Sequence, residues 1–170
     1  MGSKIKRVQH LKLIHLNTIG INNKIDEIEI LTQDKKPSIF CVTEHHLNNE
    51  QAKLLKIQGY SVGNMFCTKT KSKGGAGIFI KDNINFKPLD MTRFCMEGDI
   101  ELTAVEIDNY NLYVMTVYRP PSGNITTFLK TFHDASKELS TKNNKVVLVC
   151  GDFNINLNEN LDCHHVGVRF

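Results

Sequence analysis

A chain of 170 residues with 41% hydrophobic residues can bury the core of one domain, and its net charge of +3 neither requires nor excludes a polyanionic partner. The five cysteines are odd in number and include no Cys-x-x-Cys pair, which argues against a disulfide framework or a zinc ribbon. No apolar run approaches the ~20 residues of a membrane span and the N-terminus lacks a secretion signal, so we predict a nuclear or cytoplasmic protein that is not secreted and has no membrane contact.

Short apolar runs and one helix-like pattern alternate in the first half of the chain. Four aliphatic residues from Ile21 to Leu31 recur at the interval of a helix face, and Pro37 prevents that helix from continuing. A loop rich in lysine and glycine separates two later runs. In chain order these patterns predict a strand at 11–16, a helix at 21–31, a strand at 39–42, a short helix at 48–56, and strands at 60–66 and 77–80.

The second half of the chain predicts a hairpin, a helix and a last strand. Apolar runs at 102–107 and 112–118 flank four residues of turn composition. Asn124 can cap a helix whose apolar stripe extends from Phe128 to Leu139, and residues 145–150 form the last predicted strand. Strand–helix units mixed with antiparallel hairpins predict an α/β fold in which helices flank layers of sheet.

Polar side chains follow four of the predicted strands at the point where each strand ends. In layered α/β folds, strand ends gather such side chains into a crevice that rigid elements support. One polar residue after a strand is typical of an ordinary turn, but four strands with this feature favour a common site. The residues are Asn17, Glu44, Tyr118 with Arg119, and Asp152 with Asn154.

The chemistry of these side chains fits one task. Glu44 and Asp152 carry the hard oxygen ligands that Mg²⁺ or Mn²⁺ prefers. The amides of Asn17 and Asn154 can orient a ligand or a nucleophile. Tyr118 and Arg119 can donate hydrogen bonds to phosphate oxygens. Together the residue types predict a site that cleaves phosphodiester bonds.

Five short motifs carry these residues in a fixed order along the chain: Leu16–Thr18, Val42–Glu44, Gly74–Phe79, Val117–Gly123 and Gly151–Asn154. Their order and spacing resemble those of the endonuclease/exonuclease/phosphatase superfamily. The Tyr-Arg-Pro-Pro and Gly-Asp-Phe-Asn forms are most similar to the apurinic-type endonuclease domains of non-LTR retrotransposons and of proteins domesticated from them. The resemblance implies a deoxyribonuclease-I-like α/β fold, a layered β-sandwich flanked by helices.

The resemblance also implies a role for each motif residue in Mg²⁺-dependent or Mn²⁺-dependent cleavage of DNA. Glu44 would hold the metal, with Asn17 supporting it. Asp152 would orient or deprotonate the attacking water. Asn154 would position the scissile phosphate, and Tyr118 would lie against the phosphate or the leaving oxygen.

Basic residues form a candidate nucleic-acid surface. Lys69, Lys71 and Lys73 lie in a glycine-rich loop, a pattern typical both of a solvated hairpin tip and of a loop that follows a phosphate backbone. For Arg119 two interpretations are also open, a phosphate contact and a brace for the following turn. We predict that these four residues contact DNA.

The C-terminal end departs from the family pattern. Family members continue to a Ser-Asp-His motif that this sequence lacks, and His164 and His165 do not match it. We therefore predict an N-terminal extension or cloning scar at 1–9, a domain at 10–157 that is incomplete at its C-terminal end, and a divergent tail at 158–170. Loss of a positioned proton donor removes ~10²–10⁴ in rate, so we expect weak or absent nuclease activity. Uncovered strands would also favour a homo-oligomer or a partner protein over them.

Three hypotheses remain. The chain is an active or weakly active nuclease completed by His164 or by a partner chain, or a catalytically dead derivative that binds nucleic acid. The third hypothesis is that the chain is a domesticated regulatory protein whose target is another protein. Zinc is the weakest alternative, because the spacings in Glu44–His46 and Cys163–His165 fit no common structural zinc site.

Overall fold

A computed structural model describes residues 10–141 and 144–155, which form two facing four-stranded sheets with helices on their outer sides. This arrangement confirms the predicted layered α/β sandwich. The predicted extension at 1–9, the domain boundary at 157 and the tail with His164 and His165 lie outside the described residues.

The elements follow the predicted order. None of the helices in the described part of the chain is long and apolar enough to cross a membrane. The first sheet contains β1 (Leu13–Asn17), β2 (Ile39–Thr43), β3 (Tyr60–Phe66) and β4 (Ala76–Lys81), and the second contains β5 (Phe86–Leu89), β6 (Glu101–Ile107), β7 (Leu112–Tyr118) and β8 (Val146–Asp152). The helices are α1 (Ile25–Lys35), α2 (Asn49–Leu54) and α3 (Ile125–Thr141), with 3-10 turns at Ile21–Lys24 and Thr92–Phe94.

Two parallel strand pairs determine where the polar strand ends lie. The strand orders are β1-β2-β4-β3 and β5-β6-β7-β8, and only β1–β2 and β7–β8 are parallel among the described strands. The register aligns Asn17 with Thr43 in one pair and Tyr118 with Asp152 in the other. Because β1 also packs against β8 across the sandwich, the carboxyl ends of both pairs meet at one edge.

Three apolar cores hold the layers together. Between the sheets, Cys41 and Ile78 pack against Val105 and Val114. The first two helices cover the outer face of the first sheet, and α3 covers the outer face of the second. The central strands β2, β4, β6 and β7 thus send alternate side chains to the inter-sheet core and to a helix, as the period of a strand requires.

Helix α3 begins where the sequence predicted and connects the second sheet to the last motif. The side chain of Asn124 accepts a hydrogen bond from the Thr127 N–H at 2.9 Å, which satisfies one free amide of the first turn. Phe128 stacks on Phe132, and both rings meet Phe153 edge-on with centroids about 6 Å apart. The aromatic side chain of the Gly-Asp-Phe-Asn motif is therefore anchored under α3.

Strand β5 is the strand that the sequence patterns missed. It is four residues long, contains Pro88, and lies at the edge of the second sheet. Proline cannot donate to a strand ladder and is tolerated at sheet edges, so its presence concealed the strand without preventing it. The start of the first predicted helix also differs, because Ile21–Lys24 forms a 3-10 turn ahead of α1.

Candidate active site

One side-chain amide joins the two acidic residues of the predicted site. Asn17 ends β1, and its Nδ2 donates to Glu44 Oε1 at 2.8 Å and to Asp152 Oδ2 at 2.9 Å. Glu44 follows β2 in the first sheet, whereas Asp152 ends β8 in the second. A single nitrogen therefore links the two sheets and holds two carboxylates beside each other.

The backbone of Glu44 is held in an unusual conformation. Its φ of 52° lies in the left-handed region, which costs a non-glycine residue ~1–2 kcal/mol. The Glu44 N–H donates to the Gly75 carbonyl at 2.9 Å, and the Glu44 carbonyl accepts from the Gly20 N–H at 2.8 Å. These hydrogen bonds fix the backbone that directs the Glu44 carboxylate towards Asn17.

The turn beneath Glu44 requires glycine at two consecutive positions. Gly74 and Gly75 have φ values of +116° and +100°, where L-residues are strained. A side chain at Gly74 would also overlap the Glu101 carboxylate, and one at Gly75 would overlap the His45 ring. The Gly-Gly pair of the third motif is explained by these two close approaches.

Tyr118 ends β7 beside the two carboxylates and is 5% exposed. Burial, together with the charge and hydrogen bonding of Glu44, raises the pKa of the Tyr118 hydroxyl well above its ordinary value, and Asp152 adds to the effect. The hydroxyl therefore stays protonated at neutral pH and remains a hydrogen-bond donor.

Arg119 links the two loops that leave β7 and β8. Its Nη1 donates to the Asn154 carbonyl at 2.8 Å and its Nη2 to the Gly123 carbonyl at 2.6 Å. In return, Asn154 Nδ2 donates to the Arg119 carbonyl at 2.8 Å. This geometry favours the bracing interpretation of Arg119, and its contact with DNA stays a prediction.

The adjacent histidines after Glu44 have different surroundings. His45 is fully buried, with Nε2 at 2.9 Å from the Phe66 carbonyl and Nδ1 accepting from the Leu47 N–H at 3.0 Å. Burial lowers the pKa of His45 to about 4, so the ring is neutral and both nitrogens already have partners. His46 lies closer to the site, with Nε2 at 3.5 Å from Glu44 Oε2.

The loop of residues 69–73, here called the lysine loop, continues directly into the Gly74–Gly75 turn. Lys69, Lys71 and Lys73 are exposed. The Glu97 carboxylate accepts hydrogen bonds from the N–H groups of Lys69 and Thr70, which anchors the loop. Three cationic side chains therefore belong to a segment whose end contacts the backbone of the site, and their contact with DNA stays a prediction.

The glycine of the last motif allows β8 to pair with β7. Gly151 lies opposite Val117 with a φ of +153°, and a side chain there would overlap the Val117 carbonyl oxygen. Without glycine the two strands would separate just before Tyr118 and Asp152. The motif glycine thus determines the position of the catalytic candidates rather than acting itself.

The sequence patterns missed two residues near the site. Glu101 is fully buried, faces Tyr118 in the β6–β7 register, and accepts from the Gly75 N–H at 2.5 Å. Burial raises the pKa of the Glu101 carboxyl. A signal existed for Glu101, because it is a charged residue at the start of a strand that is mostly apolar. For His46 the sequence offered only its place in the Glu44–His46 cluster, which was weighed as a zinc site, because its position beside Glu44 depends on the left-handed turn.

Comparison with known proteins is consistent with this geometry. The sequence profile of the Endonuclease/Exonuclease/phosphatase family matches residues 18–164. The chain belongs to this family. The match spans all the residues of the candidate site except Asn17, and it confirms the superfamily resemblance of the five motifs.

Individual proteins resemble the chain at low identity. A probable RNA-directed DNA polymerase from transposon BS of Drosophila melanogaster is 27% identical over 119 residues. The endonuclease domain of TRAS1, a telomere-specific non-LTR retrotransposon, superposes with a TM-score of 0.64 at 15% identity over 86% of this chain. A 3'-5' exonuclease from Neisseria meningitidis superposes with a TM-score of 0.58 at 18% identity over 85% of this chain.

The chain spans only part of these relatives. It covers 13% of the transposon polymerase, 62% of the TRAS1 endonuclease domain and 58% of the Neisseria exonuclease. At these identities the structural likeness shows the fold, and it includes a retrotransposon endonuclease domain, as the motif forms predicted.

Replacing Gly151 tests the strand pairing that supports the site. Gly151→Ala should lower the free energy of unfolding by about 3 kcal/mol or more, because β8 must move away from the Val117 carbonyl. Gly59→Ala is the matched control, since Gly59 has a φ of +81° but open space around it, and should lose only ~1–2 kcal/mol. Urea unfolding of both variants measures the difference, and equal losses would contradict the close approach.

Proposed function

We propose that this chain is a retrotransposon-derived endonuclease-like domain whose site binds a divalent cation and cleaves phosphodiester bonds of DNA. The observation that carries the proposal is the Asn17 amide shared by Glu44 and Asp152. Two neighbouring carboxylates repel each other, and a divalent cation offsets that repulsion. The family is generally dependent on divalent metals.

The donor set fits Mg²⁺ or Mn²⁺ better than zinc. Within residues 10–141 and 144–155, no group of three or more His, Cys, Asp or Glu side chains converges as ligands. Mg²⁺ does not need such a group, because proteins usually hold it with one or two carboxylates and leave the other positions to water and substrate phosphate. Glu44, with Asn17 supporting it, would hold the cation.

The remaining residues have complementary roles in this proposal. A bound cation would offset the negative charge that develops on the phosphate. Asp152 would orient the attacking water and accept its proton, and Asn154 would position the phosphate. The Tyr118 hydroxyl would donate a hydrogen bond to a phosphate oxygen. The raised pKa of Tyr118 supports this role, because it keeps the hydroxyl protonated.

A second candidate function is a module without catalysis that acts by binding nucleic acid or another protein. An apolar surface on β8 favours the binding of another protein. Val146 and Leu148 are 63% and 41% exposed, although they share a face with the inter-sheet core residue Val114. Exposed apolar side chains on a sheet face are typical of a surface that another chain covers.

Nicking of supercoiled DNA in Mg²⁺ tests the first function. Glu44→Gln and Asp152→Asn keep the shapes of the side chains but remove one charge each. Both should lower the nicking rate by ~10²–10⁴-fold, because they remove the metal ligand and the proton acceptor. Gel assays of linear, nicked and supercoiled plasmid measure the rate, and the same assay of the wild type tests the prediction that its activity is weak or absent.

The control for this test is Glu50→Gln on α2, at an exposed position, which should nick as the wild type does. Nicking that survives in the Asp152→Asn variant would contradict the proposed mechanism. If the wild type and all the variants bind DNA but none of them nicks it, the second candidate function is selected.

The salt dependence of DNA binding tests the lysine loop. Replacing Lys69, Lys71 and Lys73 with alanine should reduce the slope of log K against log salt by about 2–3, since each phosphate contact contributes about one. Fluorescence anisotropy with a short duplex measures the slope. A double replacement of Lys53 and Lys137, which are exposed on α2 and α3, is the control and should leave it unchanged. An unchanged slope in the triple variant would exclude the loop from the interface.

We also propose that a second copy of the chain covers the apolar surface of β8. Within the described residues β8 pairs with β7 on one side only. An open strand edge beside exposed valine and leucine favours association. Val146→Lys with Leu148→Lys should convert a dimer into a monomer in sedimentation at micromolar concentration, while the exposed pair Lys130→Ala and Lys137→Ala on α3 should not. A wild-type monomer at that concentration would contradict the proposal.

A further inference from the structure

A buried carboxylate lies behind the turn that holds Glu44. Glu101 is the first residue of β6 and is fully buried. Its Oε2 accepts from the Gly75 N–H at 2.5 Å, and the Gly75 carbonyl accepts from the Glu44 N–H at 2.9 Å. A chain of two hydrogen bonds therefore runs from Glu101 through the single residue Gly75 to the backbone of the candidate metal ligand.

The same turn supports a second residue of the site. The Gly74 carbonyl accepts from the His46 N–H at 2.9 Å, and His46, like Glu44, has a left-handed backbone with a φ of 56°. Neither residue is glycine, so both conformations depend on external hydrogen bonds. The carbonyl groups that accept these two hydrogen bonds belong to Gly74 and Gly75, and both glycines contact the Glu101 carboxylate.

Packing alone does not explain a glutamate at position 101. The other residues of β6 that are fully buried in the strand are apolar or threonine, and burying a carboxylate is costly unless its hydrogen bonds compensate. An apolar side chain of the same length would fill the space without that cost. The hydrogen bond to Gly75 is what such a side chain would lack.

We propose that Glu101 is a positioning residue of the candidate site, which fixes the Gly74–Gly75 turn and thereby the direction of the Glu44 carboxylate. The proposal rests on the proposed function where it concerns the cation. Glu101 itself touches neither cation nor substrate in this scheme. It acts through Gly75, as hydrogen-bonding partners behind metal ligands generally do.

Amide hydrogen exchange tests the positioning in the metal-free protein. Glu101→Met keeps the length of the side chain but removes the acceptor, and should speed exchange at the Glu44 and His46 amides about tenfold. Glu101→Gln keeps an acceptor oxygen and should restore the wild-type rates. Thr103→Val, at a buried position two residues along β6, is the control for a general loss of stability.

Binding of Mn²⁺, followed by electron paramagnetic resonance, provides the second measurement. Glu101→Met should weaken Mn²⁺ binding by about 10- to 100-fold, Glu101→Gln should recover it, and Thr103→Val should not change it. Glu101→Ala provides a second removal of the acceptor if the methionine variant does not fold.

The two measurements separate this proposal from the proposed function. If the wild type binds no Mn²⁺, the metal-dependent function is contradicted and hydrogen exchange alone decides the role of Glu101. If Glu44 and His46 exchange at wild-type rates in both the methionine and alanine variants, or if the wild type and these variants bind Mn²⁺ equally, the positioning role is overturned. If Thr103→Val speeds amide exchange at Glu44 and His46 as much as Glu101→Met does, the positioning role is also overturned, because the faster exchange would then reflect a general loss of stability.

Discussion

The contact between Asn17 and two carboxylates is the constraint on which the candidate site depends. Asn17 and Glu44 belong to the first sheet and Asp152 to the second, so the amide fixes the distance between the layers at this edge. The alignment requires the parallel pairing of β1 with β2 and of β7 with β8, because only parallel neighbours end at the same edge. The apolar cores hold the sheets together, and the amide determines which polar groups meet.

The site accumulates backbone conformations that are unfavourable for isolated residues. Glu44, His46 and Asn154 all have positive φ values, and each is held by hydrogen bonds from a neighbouring loop. Such strain persists only where the surroundings over-determine the conformation. The glycines of the motifs supply these surroundings, because Gly74, Gly75 and Gly151 let other groups approach more closely than any side chain would allow. In this chain the motif glycines shape the site and the polar residues occupy it.

Most of the fold could be predicted from periodicity and turn composition, since most of its strands are apolar runs and the longest helix, α3, has a clear apolar stripe. Strand β5 could not, because Pro88 is tolerated only at a sheet edge and the edge position is a tertiary property. For the site, the strand-end rule identified Asn17, Glu44, Tyr118 and Asp152. It did not reveal Glu101, which opens its strand rather than ending it, and which reaches the site only because β6 pairs with β7 in antiparallel register.

The two ends of β8 differ in how they are supported. At the end that carries Asp152, the strand is held by the Asn17 amide, by the Arg119 N–H on the Asp152 carbonyl, and by the ring of Phe153 under α3. At the other end, Val146 and Leu148 face the inter-sheet side but remain exposed. Covering or uncovering that end changes apolar burial without changing any hydrogen bond of the site. The proposed associating surface and an intact candidate site are therefore compatible on the same strand, and the two can be altered independently.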